Sequence, residues 1–165
     1  LGRIRESMAR LTPKFSASRA IREYTEHHYL PAAVEFRRRA SDDNKLGIDL
    51  FQWQKRIAEK WSTVRFGMMD TKTHDGQHFF RVEVFSGDLD PHDLRVELYA
   101  NPMRDGAAVR EVMTACKACS DSPNSQIYLA QVSATRPAGD FTPRVIPYHA
   151  NASVPLETEQ ILWER

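Results

Sequence analysis

Two periods of apolar and polar positions run along the chain, one helical and one extended, and they change over near residue 62. In the first part, Ile4, Met8 and Leu11 recur at intervals of four and three residues, which predicts an amphipathic helix. Thr12-Pro13 is expected to break this helix, because proline lacks the amide hydrogen that a helix interior needs. The opening residues therefore predict a short first helix.

A second helix is predicted from about residue 18 to residue 30, with Ser16 or Ser18 as its N-cap. Ile21, Tyr24 and His28 fall on one face of it, and arginine–glutamate pairs spaced four residues apart are expected on its exposed side. Pro31 should end or kink this helix. The polar residues 35–45 are then interpreted as a helix end followed by a linker.

A third helix is predicted from about Asp49 to Ser62. Its apolar positions recur at i, i+3, i+7 and i+11, which places them on one helical face. Two of them are tryptophans, which could form a platform for stacking sugar rings, but a regular helical stripe favours burial in the core. The stripe consists of Leu50, Trp53, Ile57 and Trp61.

From Val64 onward the period of the apolar positions is two, which is typical of strands. Val64, Phe66 and Met68 are expected on one face of the first strand, and Asp75-Gly76 is a strong hairpin turn. Further strands are predicted at 78–85, 93–100, 109–117, 126–134, 143–149 and 160–164. The sequence thus predicts an α+β protein, with about three helices in residues 1–62 and an antiparallel immunoglobulin-like β-sandwich of about seven strands in residues 63–165.

Composition limits the classes of function. The 165 residues carry a formal net charge of +1, so nothing in the charge balance favours a nucleic-acid or anionic membrane partner. No apolar run approaches the roughly 20 residues of a membrane span, and no signal peptide heads the sequence. With two cysteines, a disulfide scaffold is not expected. We therefore expect a cytoplasmic protein that does not bind membranes.

Candidate metal and redox residues are few. Cys116 and Cys119 form a C-x-x-C pair, but no second pair or histidine partner occurs at zinc-finger spacing, and no βαβ unit surrounds the pair. His74 and His78 flank the predicted hairpin turn and are interpreted as surface residues at a loop tip. We predict no metal site.

No catalytic motif is present. The sequence lacks a G-x-S-x-G elbow, a Walker lysine loop and a G-x-G-x-x-G motif. The acidic stretch 85–93 superficially resembles a calcium loop but lacks its central glycine and terminal glutamate, and Pro91 favours a plain turn. From composition and spacing alone, we predict neither catalytic nor cofactor-binding residues.

Several segments do resemble a known family. The stretch "PKFSASRAIREYTEHHYLP" (13–31) is similar to the last helical segment of the glycogen (α-glucan) phosphorylases, and "IRESMARL" (4–11) to the helix before it. "GDLDPHDLRVELYA" (87–100), "RPAGDFTPRVIPYHANASVPLE" (136–157) and the closing "ILWER" (161–165) resemble the bacterial subfamily, in which a C-terminal β-domain follows. The resemblance covers most of the chain and identifies it as the C-terminal region of a bacterial α-glucan phosphorylase.

The resemblance implies a parent enzyme that cleaves α-1,4-glucan ends with inorganic phosphate and releases glucose 1-phosphate. In that family pyridoxal phosphate is bound as a Schiff base by a lysine in a Gly-rich "S-G-M-K"-like motif. No such motif occurs here, so no catalytic or cofactor-binding residue can be assigned to this chain, which we expect to be inactive alone. Residues 1–62 are expected to close the catalytic body, with upstream lobes of the same polypeptide as partner. The candidate lobe-packing residues are Phe15, Ser16, Arg19, Ile21 and Tyr24.

Three alternatives stay open at this level. If the lobes are absent, the helical face should be exposed, and a homodimer through these helices is one response. The β-domain could be a carbohydrate-binding module, stacking sugar rings on exposed aromatic residues, or a stand-alone interaction domain. The chain begins at Leu1 without an N-cap, which fits either a piece of a longer chain or a removed tag. The aromatic candidates for sugar binding are Tyr99, Tyr128, Phe141 and Tyr148.

Overall fold

The structure is a computed structural model that describes residues 2–103, 106–116 and 125–165. The chain divides into two compact units, Leu1–Asp49 and Leu50–Arg165. Helices make up the described part of the first unit, and antiparallel sheets preceded by a helix make up that of the second. This arrangement confirms the predicted α+β class.

The helices of the described residues follow one another with short breaks. α1 is followed after two residues by α2, which continues through a π-helical segment into α3. A short 3₁₀ turn then leads into α4, which extends past the end of the first unit. The bounds are Gly2–Lys14 for α1, Ala17–Tyr24 for α2, Thr25–Tyr29 for the π segment, Leu30–Ala40 for α3 and Lys45–Lys60 for α4. No described helix is long and apolar enough to cross a membrane.

Neither proline ends its helix, so the predicted break at Pro13 is wrong, and of the two outcomes predicted at Pro31 the helix end does not occur. α1 continues through Pro13 to Lys14, and the amide of Phe15, just past its end, still donates to the carbonyl of Leu11 at 2.8 Å. Just before Pro31 the helix widens into the π segment, where the amide of Leu30 donates to the carbonyl of Thr25, five residues back. The wider turn accommodates the proline ring, which in a regular α-helix would meet the carbonyl four residues earlier.

The break after α3 is made by a left-handed turn. Asp42, Asp43 and Asn44 have φ values of 50°, 56° and 60°, a region that aspartate and asparagine tolerate better than most residues. The turn confirms the predicted end of the polar helix and separates α3 from α4.

The described residues of the second unit form eight strands in two antiparallel sheets. One sheet has the order β1-β2-β6-β5 and the other β4-β3-β7-β8. All neighbouring strands are antiparallel. The strands are β1 (Arg65–His74), β2 (Gln77–Phe85), β3 (Leu94–Ala100), β4 (Val109–Val112), β5 (Thr114–Cys116), β6 (Ser125–Ser133), β7 (Phe141–Pro147) and β8 (Leu162–Trp163).

The predicted single strand at 109–117 is two strands in different sheets. β4 pairs with β3, and β5 pairs with β6, so the chain passes from one sheet to the other at Met113. The Met113 side chain is buried, and its amide donates to the carbonyl of Val96 at 2.9 Å. A buried corner residue with a satisfied amide allows the strand to change sheets without leaving polar groups unpaired.

The β1–β2 hairpin confirms the predicted turn but not the predicted facing of its methionines. Asp75 and Gly76 have φ values of 51° and 71°, as a two-residue hairpin turn requires. Between Phe66 and Met69, however, β1 carries a β-bulge. The extra residue shifts the alternation by one, so Met68 is exposed and Met69 packs against the core.

One hydrophobic core unites α4 and both sheets. Leu50, Trp53 and Ile57 are buried and Trp61 is partly buried, which confirms that the helical stripe belongs to the core. Because these residues pack with the strands, the boundary between the two units lies before them, after Asp49. The division predicted at residues 62 and 63 falls instead between the end of α4 and the start of β1. The largest strand contributors are Phe80, Val82, Val84, Val96, Leu98 and Val145.

Candidate functional site

The helical unit presents large apolar side chains to solvent. None of the described residues in α1, α2, the π segment or α3 is buried. So many large hydrophobic side chains with such high exposed fractions are unusual on a protein surface that has no partner. Those more than 45% exposed are Ile4, Met8, Leu11, Phe15, Ile21, Tyr24, Tyr29, Leu30, Val34, Phe36 and Ile48.

The predicted lobe-packing residues have two different roles in this unit. Ser16 is the N-cap of α2, since its hydroxyl accepts from the backbone amide of Arg19 at 3.3 Å. The Arg19 side chain pairs with Glu23 on the polar side of the helix, at 3.4 Å. Only Phe15, Ile21 and Tyr24 contribute exposed apolar surface.

Sequence reasoning missed two exposed aromatic residues, Tyr29 and Phe36. Their spacing from Tyr24, five and twelve residues, does not fit one face of a regular α-helix. Spacing alone therefore gave no signal for them, and only the π segment shows how they relate to Ile21 and Tyr24.

The aromatic candidates for sugar stacking do not form an open platform. Tyr128 and Phe141 are buried in the core, and burial raises the pKa of the Tyr128 phenol. The guanidinium of Arg95 lies 3.9 Å from the ring centre of Tyr148, and that of Arg144 lies 4.8 Å from the ring centre of Tyr99. Each partly exposed ring therefore already has a cation over one face.

The outer face of the second sheet carries a nearly buried ion pair. Arg144 on β7 donates twice to one oxygen of Glu97 on β3, at 2.9 Å and 2.6 Å, and these residues are directly opposite in the strand register. Their side chains are only 14% and 8% exposed. The rings of Tyr99 and Trp163, 5.3 Å apart, complete the cluster. Since both charges are paired, the cluster holds three strands together and offers no free charge to a ligand.

A cleft of about 760 Å³ lies beside the loop between β2 and β3. Asp90 and His92 line it, and the backbone amide and Nδ1 of His92 both lie 2.9 Å from one Asp90 oxygen. The hydrogen bond from the His92 amide is the main reason that the pKa of the Asp90 carboxyl is below its ordinary value. Ser86 also lines the cleft, but among the described residues its hydroxyl makes no hydrogen bond to His92. In the described part of the cleft, Ser86 and His92 therefore do not form a nucleophile–base pair.

The histidines of the hairpin are not the surface pair expected from the sequence. His74 is exposed and stacks on Phe79. His78 is buried, with Nδ1 2.7 Å from the hydroxyl of Thr73 and Nε2 2.8 Å from the carbonyl oxygen of Arg136. Both ring nitrogens of His78 are thus used in holding together the end of the second unit, Leu50–Arg165, which we call the β-unit.

Neither metal nor Schiff-base chemistry finds a site in the described ranges. No group of three metal-ligating side chains occurs in them. Cys116 ends β5 and is disulfide-bonded, while Cys119 lies outside the described residues. Of the described lysines, only Lys60 is partly buried, and its ammonium donates to the carbonyl of Asp88 at 3.3 Å. A Schiff-base lysine needs a desolvated pocket, so the described lysines do not fit pyridoxal phosphate.

Comparison with known proteins gives consistent matches. The family described as the glycogen phosphorylase C-terminal domain matches residues 61–165. Glycogen phosphorylases of Mycobacterium bovis and Mycobacterium tuberculosis are each 28% identical over 155 residues, covering 88% of this chain. A maltodextrin phosphorylase of Thermococcus litoralis is 26% identical over 152 residues, again covering 88% of the chain.

The chain spans 18% of the length of these curated relatives. The family match begins just before β1 and covers both sheets. The pairwise matches cover 88% of the chain and therefore extend into the helical unit as well. The chain therefore belongs to the glycogen phosphorylase C-terminal domain family.

Proposed function

We propose that this chain is the C-terminal part of an α-1,4-glucan phosphorylase, a glycosyltransferase that releases glucose 1-phosphate by phosphorolysis. The family match over residues 61–165 carries the proposal. It is supported by relatives named glycogen phosphorylase and maltodextrin phosphorylase, of whose length this chain covers 18%. A cytoplasmic location belongs to the same proposal, and cell fractionation would test it.

Catalysis belongs to the rest of the longer polypeptide in this proposal. Pyridoxal phosphate would be held there, since the described lysines here lie outside any desolvated pocket and the sequence has no Gly-rich lysine motif. When bound, the cofactor would supply a phosphate group for proton transfer to the substrate phosphate. The chain by itself should not convert glucan.

The helical unit is proposed to pack against the catalytic lobes. This role is supported by its run of exposed apolar side chains, since burial of each would contribute about 1.5–3 kcal/mol. Arg19 and Ser16 act locally instead, as ion-pair partner and N-cap. Phe15, Ile21 and Tyr24 are the contact residues.

The β-unit is proposed to be a structural, accessory domain of immunoglobulin-like topology. The strand order β1-β2-β6-β5 corresponds to A-B-E-D, and β4-β3-β7-β8 adds a strand beside C, F and G. Its paired charges and covered aromatic rings favour bracing over ligand binding. Glucan binding by this unit stays the second candidate, and retention on an amylose column would reveal it.

Two preparations test the proposal, namely the 165-residue chain and the longer polypeptide encoded by its reading frame. Incubated with maltodextrin and inorganic phosphate, the longer polypeptide should release glucose 1-phosphate and the short chain should not. Phosphorolysis by the short chain, or a reading frame that encodes no further domain, would refute the assignment.

Lobe packing is tested in the longer polypeptide by Tyr24→Ser. We expect a loss of about 1.5–3 kcal/mol of stability, from the burial that the ring would forgo. Glu23→Ser, on the polar side of the same helix, is the matched control and should change stability by less than about 0.5 kcal/mol. Equal effects would refute packing through this face. If sedimentation shows a dimer of the short chain that Tyr24→Ser dissociates, the same face also serves self-association.

A further inference from the structure

The π segment changes which side chains share a face of the continuous helix from α2 to α3. An α-helix advances about 100° per residue, so Tyr24 lies about 60° to one side of Ile21. Continued as a regular α-helix, the chain would place Tyr29 and Phe36 about 80° and 60° to the other side. The four residues would then spread over about 140°.

The i to i+5 bonding of the π segment accommodates one extra residue. From its last residue, Tyr29, onward, every residue is therefore set back by about 100° relative to α2. Tyr29 and Phe36 move to about 20° and 40° from Ile21, on the side of Tyr24. All four side chains then fall within an arc of about 60°, and they are exposed by 66% (Ile21), 57% (Tyr24), 66% (Tyr29) and 73% (Phe36).

The charged side chains of the two helices come into line in the same way. Arg19 pairs with Glu23 in α2, on the side opposite Ile21. In α3, Arg38 pairs with Glu35, with a 3.0 Å hydrogen bond from Nε. Without the setback Glu35 would lie close to the angular position of Tyr24, whereas with it both ion pairs lie on the polar side.

We infer that the π segment is a register device that joins Ile21, Tyr24, Tyr29 and Phe36 into one apolar ridge for docking. The ridge is about 22 Å long, at 1.5 Å per helical residue. This inference rests on the proposed function, because the occupant it commits to is an apolar groove on the rest of the longer polypeptide. The length of the relatives, of which this chain is 18%, supplies that occupant. Pro31, which follows the segment, disfavours a regular α-helix at this point and so holds the setback in place.

The alignment makes an unusual prediction about insertions and deletions. Deleting Glu26 from the π segment removes the extra residue, and Pro31→Ala in the same variant removes the proline that disfavours a regular α-helix, so the helix can become regular while the ridge stays aligned. Inserting one alanine after Ala33 leaves the π segment intact but rotates Phe36 by about 100° away from the ridge. The deletion is thus the matched control for the insertion, since each changes the chain by one residue and neither removes a ridge side chain.

Amide hydrogen exchange of residues 17–40 in the longer polypeptide is the measurement. We expect protection in the unmodified protein and in the Glu26 deletion, and exchange faster by about tenfold or more in the alanine insertion. Equal protection in all three proteins would overturn the alignment while leaving the proposed function in place. Loss of protection in the Glu26 deletion alone would also overturn it.

Two further outcomes concern the occupant. If residues 17–40 of the unmodified longer polypeptide exchange as fast as in the 165-residue chain, lobe packing and the register device both fail. If the short chain alone shows full protection at high concentration, the occupant is a second copy of this chain, and the commitment to a groove elsewhere in the polypeptide is overturned.

Discussion

The ion pair between Arg144 and Glu97 gives the strongest stability prediction. Replacing Arg144 by methionine keeps much of the side-chain volume but removes the only cation that the structure places on the Glu97 carboxylate among the described residues. Because both side chains are nearly buried, the unpaired carboxylate would keep its desolvation cost without its partner. Breaking a buried pair in this way costs about 3–5 kcal/mol.

A double variant separates the free-energy cost of the unpaired Glu97 charge from a general disruption of packing. Arg144→Met combined with Glu97→Leu removes both charges, and the apolar pair should restore most of the lost stability, to within about 1 kcal/mol of the parent. Lys55→Met is the exposed control, because Lys55 and Glu59 form a pair 3.8 Å apart with both side chains more than half exposed. Its loss should cost less than about 0.5 kcal/mol.

Urea unfolding followed by tryptophan fluorescence would measure these differences. Trp53 is fully buried in the core of the β-unit, so its emission reports on unfolding of that unit. A single Arg144→Met variant within about 1 kcal/mol of the parent would refute the reasoning. So would a double variant less stable than either single one, because it would show that volume rather than charge pairing holds the three strands.

Three further predictions concern the same unit. Gly87→Ala should lower the melting temperature clearly more than Gly76→Ala. Both glycines have positive φ, but a Cβ at Gly87 would lie 2.7 Å from the Thr63 carbonyl oxygen, whereas a Cβ at Gly76 would have no atom within 4 Å. His78→Phe should lower stability by about 1–3 kcal/mol through two lost hydrogen bonds, and an unchanged melting temperature would contradict that role. Asp90→Asn should be less stable than the parent at about pH 6 and equal to it near about pH 2, because the lowered pKa supplies stability above the unfolded-state pKa that is lost as pH falls through the folded-state pKa. A difference that persists at the lower pH would contradict the assignment.

Local signals in the sequence were sufficient for most elements. The stripe from Leu50 to Trp61, the turn at Asp75-Gly76 and the alternation along β3 each depend on residues within one or two turns of each other. Such patterns carry over into the fold because helical and extended periods are set by backbone geometry. The family was recognisable for the same reason, since its matching segments are short and contiguous.

Predictions failed where the outcome depended on a distant part of the chain. One strand was expected at 109–117. Instead the chain passes from one sheet to the other at Met113, whose side chain is buried in the core that both sheets share. The bulge at Met68 arises opposite Glu83, whose carboxylate accepts the Met68 amide at 3.2 Å. His78 was interpreted as a surface residue because its hydrogen-bond partner, the Arg136 carbonyl, lies 58 positions away, and no neighbouring residue indicates it.

The candidate site shows the same division. The sequence identified the helical segment, Ser16 as one of two candidate N-caps, and the apolar pair Ile21 and Tyr24, all of which are local features. It could not identify Tyr29 and Phe36 as members of the same face, because a regular helical period excludes them.

The sequence by itself determined the class of fold, the places of most helices and strands, and the family to which the chain belongs. Only the tertiary structure decided which sheet each short strand joins, which polar side chains are buried in pairs, and where the helix widens. Hydrophobic periodicity depends on neighbouring residues, whereas sheet membership and the partner of Glu97 depend on how separate segments meet. The facing of Phe36 depends on a π segment that departs from the regular helical period.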